Sequence, residues 1–225
     1  MPQAVIFDID GTLVDSVNFH AEAWVQGFEK FGHSVDFATI KQRIGKGGEY
    51  ILEEFLTEAE NQEYGSDLKQ YRKQYFHDQF LPKIQALPQV RALFERIRQD
   101  QIQIVLATSA EQETANHYRE MLGIKDLIDG MTCSDDVENA KPEPDIFQAA
   151  LKKLDQVAPE SVIVVGDSPY DAAAAQKLSL RTLGFLSGGF STDQLREAGC
   201  VAIYKDPADL LAHYQDSLLN SASLS

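Results

Sequence analysis

Four short, almost wholly apolar runs punctuate this chain: Val5–Phe7, Ile102–Ala107, Val162–Val165 and Thr182–Phe185. A strand with one wet face alternates apolar and polar residues, and these runs do not, so they predict parallel strands covered on both faces. The segments between them repeat at helical spacing. Val90, Leu93, Phe94 and Ile97 form one apolar stripe, and Ile146, Phe147, Ala150, Leu151 and Leu154 form another. The pattern predicts an α/β fold with a three-layer, Rossmann-like parallel sheet core.

The stretch from Ser16 to Leu81 breaks this rhythm, for it holds no convincing strand. Val17, Ala21, Trp24, Phe28 and Phe31 recur at helical spacing, as do Tyr64, Leu68, Tyr71 and Tyr75, and four helices are expected here. So long an excursion reads as an inserted all-helical subdomain rather than a loop. Residues 1–15 and 84–225 then make the core, and residues 16–83 the insert. Hinges are expected near Val14–Ser16 and in "LPKIQALP", where Pro82 and Pro88 discourage continuous helix. The closing "NSASLS" reads as a frayed end.

Composition narrows the partners. With 225 residues, a formal net charge of −15 and no basic stripe, the chain is not built to grip a nucleic-acid backbone. No apolar run approaches the roughly 18 residues needed to cross a bilayer. Cys133 and Cys200 form no C-x-x-C pair and read as inert small hydrophobes. Together with the lack of a leader, they predict a cytoplasmic protein, a monomer or weak homodimer.

The chemistry concentrates at the carboxyl ends of the apolar runs, where open parallel sheets bind ligands. "AVIFDIDGTLVDS" ends the first run in Asp8 and Asp10, which an extended backbone projects to one side. Two neighbouring carboxylates need a cation or a shared proton. The second run ends at Thr108, while Ser109 with Gln112 fits a capping box for the next helix. A hydroxyl at that position suits an anionic oxygen. Lys141 in "AKPEPDIF" reads either as a surface lysine or as a fixed ammonium that neutralises phosphate and two carboxylates. "VIVVGDSPYD" places Asp167 at the tip of the next strand, and Ser168 with Asp171 fits a second cap, with Pro169 at the first helical position.

In order, "FDIDGTLVDS", Thr108 in "LATS", Lys141 in "KPEPDIF" and "GDSPYD" resemble the four motifs of the haloacid dehalogenase-like superfamily. The helical insert resembles the small cap of its phosphoglycolate phosphatase and β-phosphoglucomutase branch. The resemblance implies that Asp8 attacks phosphorus to give an aspartyl phosphate, and that Asp10 acts as general acid and base. It implies Mg²⁺ held by Asp8, the backbone carbonyl of Asp10 and Asp167, with Asp171 as an outer ligand. Thr108, Ser109 and Lys141 would bind the phosphoryl oxygens. The implied substrate is a small phosphorylated metabolite, such as a sugar phosphate or phosphoglycolate.

Within the superfamily, Asp10 stands where the dehalogenase and phosphonate-cleaving branches depart from the pattern. Gly166 stands where the mutase pattern has a second acidic residue, which favours hydrolysis. "DSVNFHAEAW" nevertheless resembles the entry to the β-phosphoglucomutase cap, with His20 and Trp24 at matching positions. His20 has two readings, a group that gates Asp10 or contacts substrate, and a helix residue packed beside the hinge. Trp24 reads as packing. In "RIGKGGEYIL", three glycines around Lys46 would let a loop approach substrate, with Lys46 or Arg43 meeting the leaving group. The competing reading is a helix connection with solvated charges. "LSGGFSTDQL" reads as a turn before a capped helix, and His33, His77, His117 and His213 show no metal-ligand spacing. A phosphosugar mutase and a catalytically idle binding module remain the alternatives.

Overall fold

A computed structural model describes residues 2–220, so the terminal segment read as frayed lies, beyond Asn220, outside the described residues. Six strands form one parallel sheet: β1 (Ala4–Phe7), β2 (Gln103–Ala107), β3 (Gly130–Thr132), β4 (Val162–Gly166), β5 (Arg181–Phe185) and β6 (Cys200–Tyr204). Their spatial order is β3-β2-β1-β4-β5-β6, so β1 lies in the middle, flanked by β2 and β4. Alternate residues of these strands feed two separate layers. Val5, Phe7, Ile104, Leu106, Ile163 and Val165 pack with the helix Val90–Gln99 on one face. Ala4, Ile6, Val105, Ala107, Val162 and Val164 pack with Ile146, Phe147, Ala150, Ala174 and Ala175 on the other. The fold is the expected three-layer α/β arrangement.

Two strands escape the sequence reading. β3 has only three residues and is mostly half-buried, while β6 is an edge strand in which Val201 is 53% exposed. Neither carries the doubly buried signature that marks β1 and β4. The second predicted stripe is also longer than its helix, which spans Asp145–Leu151 and leaves Leu154 in the turn that follows.

Between β1 and β2 the described residues form no strand. Ahead of the core helix Val90–Gln99, the α-helices are Val17–Lys30, Phe37–Lys41, Gly48–Phe55 and a last one running from Glu58 to Gln79 through a π-helical turn at Asn61–Gly65. They share a hydrophobic cluster built on Val17, Trp24, Phe28, Ile40, Ile51 and Leu68. Of the tyrosines expected to complete the last stripe, Tyr64, Tyr71 and Tyr75 are only half-buried. The chain leaves and re-enters the sheet side by side. Asp15 N–H donates to Gln85 C=O at 2.9 Å, and Leu87 N–H donates to Leu13 C=O at 2.9 Å. A cleft of about 570 Å³ opens between the helical block and the carboxyl ends of the strands.

Candidate active site

Asp8 leaves the end of β1 tied to its neighbour strand, its N–H donating to Val165 C=O at 2.9 Å. That register sets it beside Asp167, which follows β4, and beside Asp171 in the first turn of the helix Pro169–Gln176. Carboxylate oxygens of Asp8, Asp167 and Asp171 all lie within 4.8 Å of one another, and all three residues are buried. Lys141, itself 2% exposed, places Nζ 2.5 Å from Asp8 Oδ1 and 2.7 Å from Asp171 Oδ1. The lysine is therefore not a surface residue. Burial opposes its charge, but Asp171 and Asp8 outweigh that and hold it firmly protonated.

One ammonium does not balance three buried carboxylates. Burial pushes Asp8 up to about 7 against the pull of Lys141, with Asp171 and Asp10 adding to the rise. Burial, Asp8 and Asp171 likewise lift Asp167 well above the carboxylate range. Such a cluster of hard oxygen donors, two positive charges short when ionised, fits a divalent cation of the Mg²⁺ type. Asp8 and Asp167 are the better donors, because both oxygens of Asp171 are engaged. Its Oδ2 accepts from Ser168 N–H at 3.1 Å and from Ser168 Oγ at 2.6 Å, completing the expected capping box, and its Oδ1 faces Lys141. The Asp10 side chain lies outside the cluster, so a donor from that residue has to come from its backbone.

Asp10 turns toward the helical block. Its Oδ1 accepts from Ser16 Oγ at 2.7 Å and lies 2.8 Å from His20 Nε2. Burial opposes the charge on Asp10, but His20, Ser16 and the Tyr118 hydroxyl outweigh it and hold the carboxyl below its ordinary range. Tyr118 acts here at a distance, since its hydroxyl falls outside hydrogen-bonding geometry. Ser16 precedes the helix Val17–Lys30 without capping it, its hydroxyl being committed to Asp10 instead. His20 stacks on Phe76 with ring centroids 4.0 Å apart, and its Nδ1 lies 2.5 Å from Arg72 Nη2. His20 thus packs beside the hinge and contacts Asp10.

The turn after β2 departs from expectation. Thr108 is fully buried, and its Oγ1 accepts from Ala110 N–H at 3.0 Å. That contact extends the turn, so the next helix starts at Gln112 with Glu111 at its N-cap and no side-chain cap. Ser109 is therefore not the cap; it is exposed and lines the cleft.

Of the glycine-loop candidates, Lys46 is on the cleft wall and pairs with Glu54 at 3.3 Å. Arg43 is off the wall, because Glu54 also holds its guanidinium. The loop itself reaches the core. Gly47 N–H donates to Lys141 C=O at 3.0 Å, and a Cβ at Gly45, whose φ is +102°, would stand 2.8 Å from Ser168 Oγ.

Sequence reasoning passes over Thr12, Ser16 and Arg72. Thr12 Oγ1 lies 2.9 Å from Asp167 Oδ1 and 3.1 Å from Asp8 Oδ2, and its place in "DGT" was the available signal. Nothing in "QYRKQY" marks Arg72 out from its neighbours.

Comparisons with known proteins identify the family. Residues 5–185 match the family model described as haloacid dehalogenase-like hydrolase. A phosphorylated carbohydrates phosphatase from Thermotoga maritima is 31% identical over 216 residues, covering 93% of this chain and 96% of that protein. A phosphoglycolate phosphatase from Rhodospirillum rubrum is 28% identical over 219 residues, covering 93% and 90%. The crystal structure of a hydrolase from Pseudomonas syringae superposes with a TM-score of 0.85 at 31% identity, covering 95% of this chain and 98% of that one. The chain belongs to the haloacid dehalogenase-like hydrolase family.

Proposed function

We propose that the protein is a Mg²⁺-dependent phosphatase that hydrolyses a small phosphorylated metabolite through an aspartyl phosphate on Asp8. The observation that carries this reading is the placement of the Asp8 carboxylate on the cleft, 2.5 Å from Lys141 Nζ and within the Asp167–Asp171 cluster. Two relatives are named for phosphatase activity on phosphorylated carbohydrates and on phosphoglycolate, which supports a substrate of that size and charge.

In the first step an Asp8 oxygen bonds to phosphorus as the ester bond breaks, and Asp10 gives its proton to the departing oxygen. In the second, water loses a proton to Asp10 and attacks phosphorus, releasing phosphate and restoring the Asp8 carboxylate. Ser16 and His20 orient the Asp10 carboxyl and hold it ionised in the free protein, the form that takes the water's proton in the second step, so the proton given in the first step is one that Asp10 takes up as the substrate binds. Lys141, Thr108 and Ser109 hold the phosphoryl oxygens as charge moves onto them. Asp8 and Asp167 would hold Mg²⁺, which would supply positive charge beside the phosphoryl oxygens as they approach a buried carboxylate. The helical block covers the site, with Lys46 on the cleft wall to meet the leaving group.

Gly166 supports hydrolysis over mutase chemistry. A Cβ there would stand 2.5 Å from Asp171 Cβ, so an acidic side chain at 166 would displace the Asp171 carboxylate from Lys141. The test is phosphate release from a panel of phosphomonoesters, with and without Mg²⁺, by the native protein and Asp8→Asn. Release that needs both Mg²⁺ and Asp8 is the expected result. Exchange of phosphate between ring positions without free phosphate would make the protein a mutase, and neither activity would make it a binding module.

A further inference from the structure

Arg72 lies on the cleft wall, on the helix Ser66–Gln79. Its guanidinium carbon is 5.2 Å from the centre of the Trp24 ring and 5.3 Å from that of Phe76, so two aromatic faces fix its position. Nη2 donates to Nδ1 of His20, while Nε is buried with no hydrogen-bond partner. Burial draws its pKa down to about 10, which leaves it charged at neutral pH.

The other cations that the helical block brings to the cleft are matched by carboxylates: Lys46 by Glu54, Lys69 by Glu49 and Lys73 by Glu111. Arg72 forms no ion pair among the described residues; its close polar partner is the ring of His20. Asp10 and Glu111 attract the guanidinium from beyond ion-pair distance, but no carboxylate among the described residues reaches its N–H groups, and the buried Nε–H is left unpaired only at a cost. The group that completes these contacts is one that arrives with the ligand.

The distance to the reacting centre limits the ligand further. Asp10 and Arg72 flank opposite nitrogens of a single imidazole, Nε2 toward Asp10 and Nδ1 toward Arg72. The Asp10 carboxylate and the guanidinium are thus separated by one imidazole and its two flanking contacts of 2.8 Å and 2.5 Å. Only a short leaving group reaches both.

Building on the phosphatase reading, we infer that Arg72 binds a second anionic group, a carboxylate or a phosphate, carried a few atoms from the ester oxygen on the substrate's leaving group. Arg72 is then the residue that selects compact, doubly anionic phosphomonoesters over neutral ones of equal size.

Three two-carbon probes test this: 2-phosphoglycolate, ethylene glycol bisphosphate and 2-hydroxyethyl phosphate, which carry at the second carbon a carboxylate, a phosphate one atom further out and a neutral hydroxyl. The native protein should favour one of the anionic probes over the neutral one by about tenfold to hundredfold in kcat/KM, the scale of a charge-assisted contact. Which probe wins identifies the anion. Arg72→Gln should erase that ratio, chiefly through KM, and Arg72→Lys should keep part of it. Because Arg72 also touches His20, the ratio between probes is the readout rather than the absolute rate. Calorimetric binding of the three probes to Asp8→Asn, with and without Arg72→Gln, reads the same preference without turnover. A preference absent from the native protein, or one that survives Arg72→Gln, overturns the inference. Absent hydrolysis with an Arg72-dependent binding preference would instead overturn the phosphatase reading and leave this one standing.

Discussion

Nδ1 of His20 lies 2.5 Å from Nη2 of Arg72, and a guanidinium has no lone pair to offer, so the imidazole nitrogen is the acceptor. The ring proton is thereby placed on Nε2, which donates to Asp10 across 2.8 Å. Burial, working against the attraction of Asp10, holds the His20 pKa below its ordinary value, in keeping with this neutral ring. In the proposed mechanism, His20 positions Asp10 rather than touching substrate.

His20→Ala should lower kcat by about tenfold to hundredfold, less than loss of a general acid and base itself. His20→Gln, whose amide nitrogen reaches the Nε2 position, should recover much of that loss. Steady-state kinetics of both variants check this, and equal loss in the two would mean that the ring only packs against Phe76.

What the sequence made legible here is local. Asp8, Thr108 and Asp167 stand at or just beyond apolar runs, and a parallel sheet brings such ends together whatever the details of packing, while Lys141 was legible only through its motif "KPEPDIF". The capping box of Ser168 and Asp171 needs only a four-residue spacing. Arg72 and the cleft position of Lys46 depend on how the helical block docks on the core, a relationship between residues far apart in the chain. Ser109 was misplaced for a related reason, since a tertiary turn held by Thr108 overrode a good local capping signal. β6 was missed because an edge strand has no need of two apolar faces.

The acidic cluster makes stability depend on pH and on metal together. Asp8, raised to about 7, and Asp167, also raised, favour their protonated forms in the folded state. The stability they contribute is full below the unfolded carboxylate range and is lost as pH rises through about 7. With chelator present, this contribution should lower Tm between about pH 5.5 and about pH 8. Mg²⁺ binds the ionised forms, so the rise in Tm that it gives should be larger at the higher pH. Thermal melts at both pH values, with chelator and with Mg²⁺, check the sign.

Gly188 guards the same cluster from the far side. A Cβ at this position would stand 2.0 Å from Asp167 Oδ2, closer than any side chain tolerates, so Gly188→Ala must move the Asp167 carboxylate. The variant should need about tenfold more Mg²⁺ for half-maximal activity, the scale seen when a ligand's supporting shell is disturbed. A Mg²⁺ titration of activity measures this, with circular dichroism to show that the fold is kept.

The central claim is that phosphate passes through a covalent bond to Asp8. The most direct measurement is rapid acid quenching of the native protein during turnover with Mg²⁺ and a phosphomonoester, followed by proteolysis and mass spectrometry. A phosphoryl group on the peptide that contains Asp8, formed and lost at rates compatible with turnover and absent from Asp8→Asn, is the predicted result. Phosphate release with no covalent phosphopeptide on the timescale of turnover, or with the label on another residue, would contradict it.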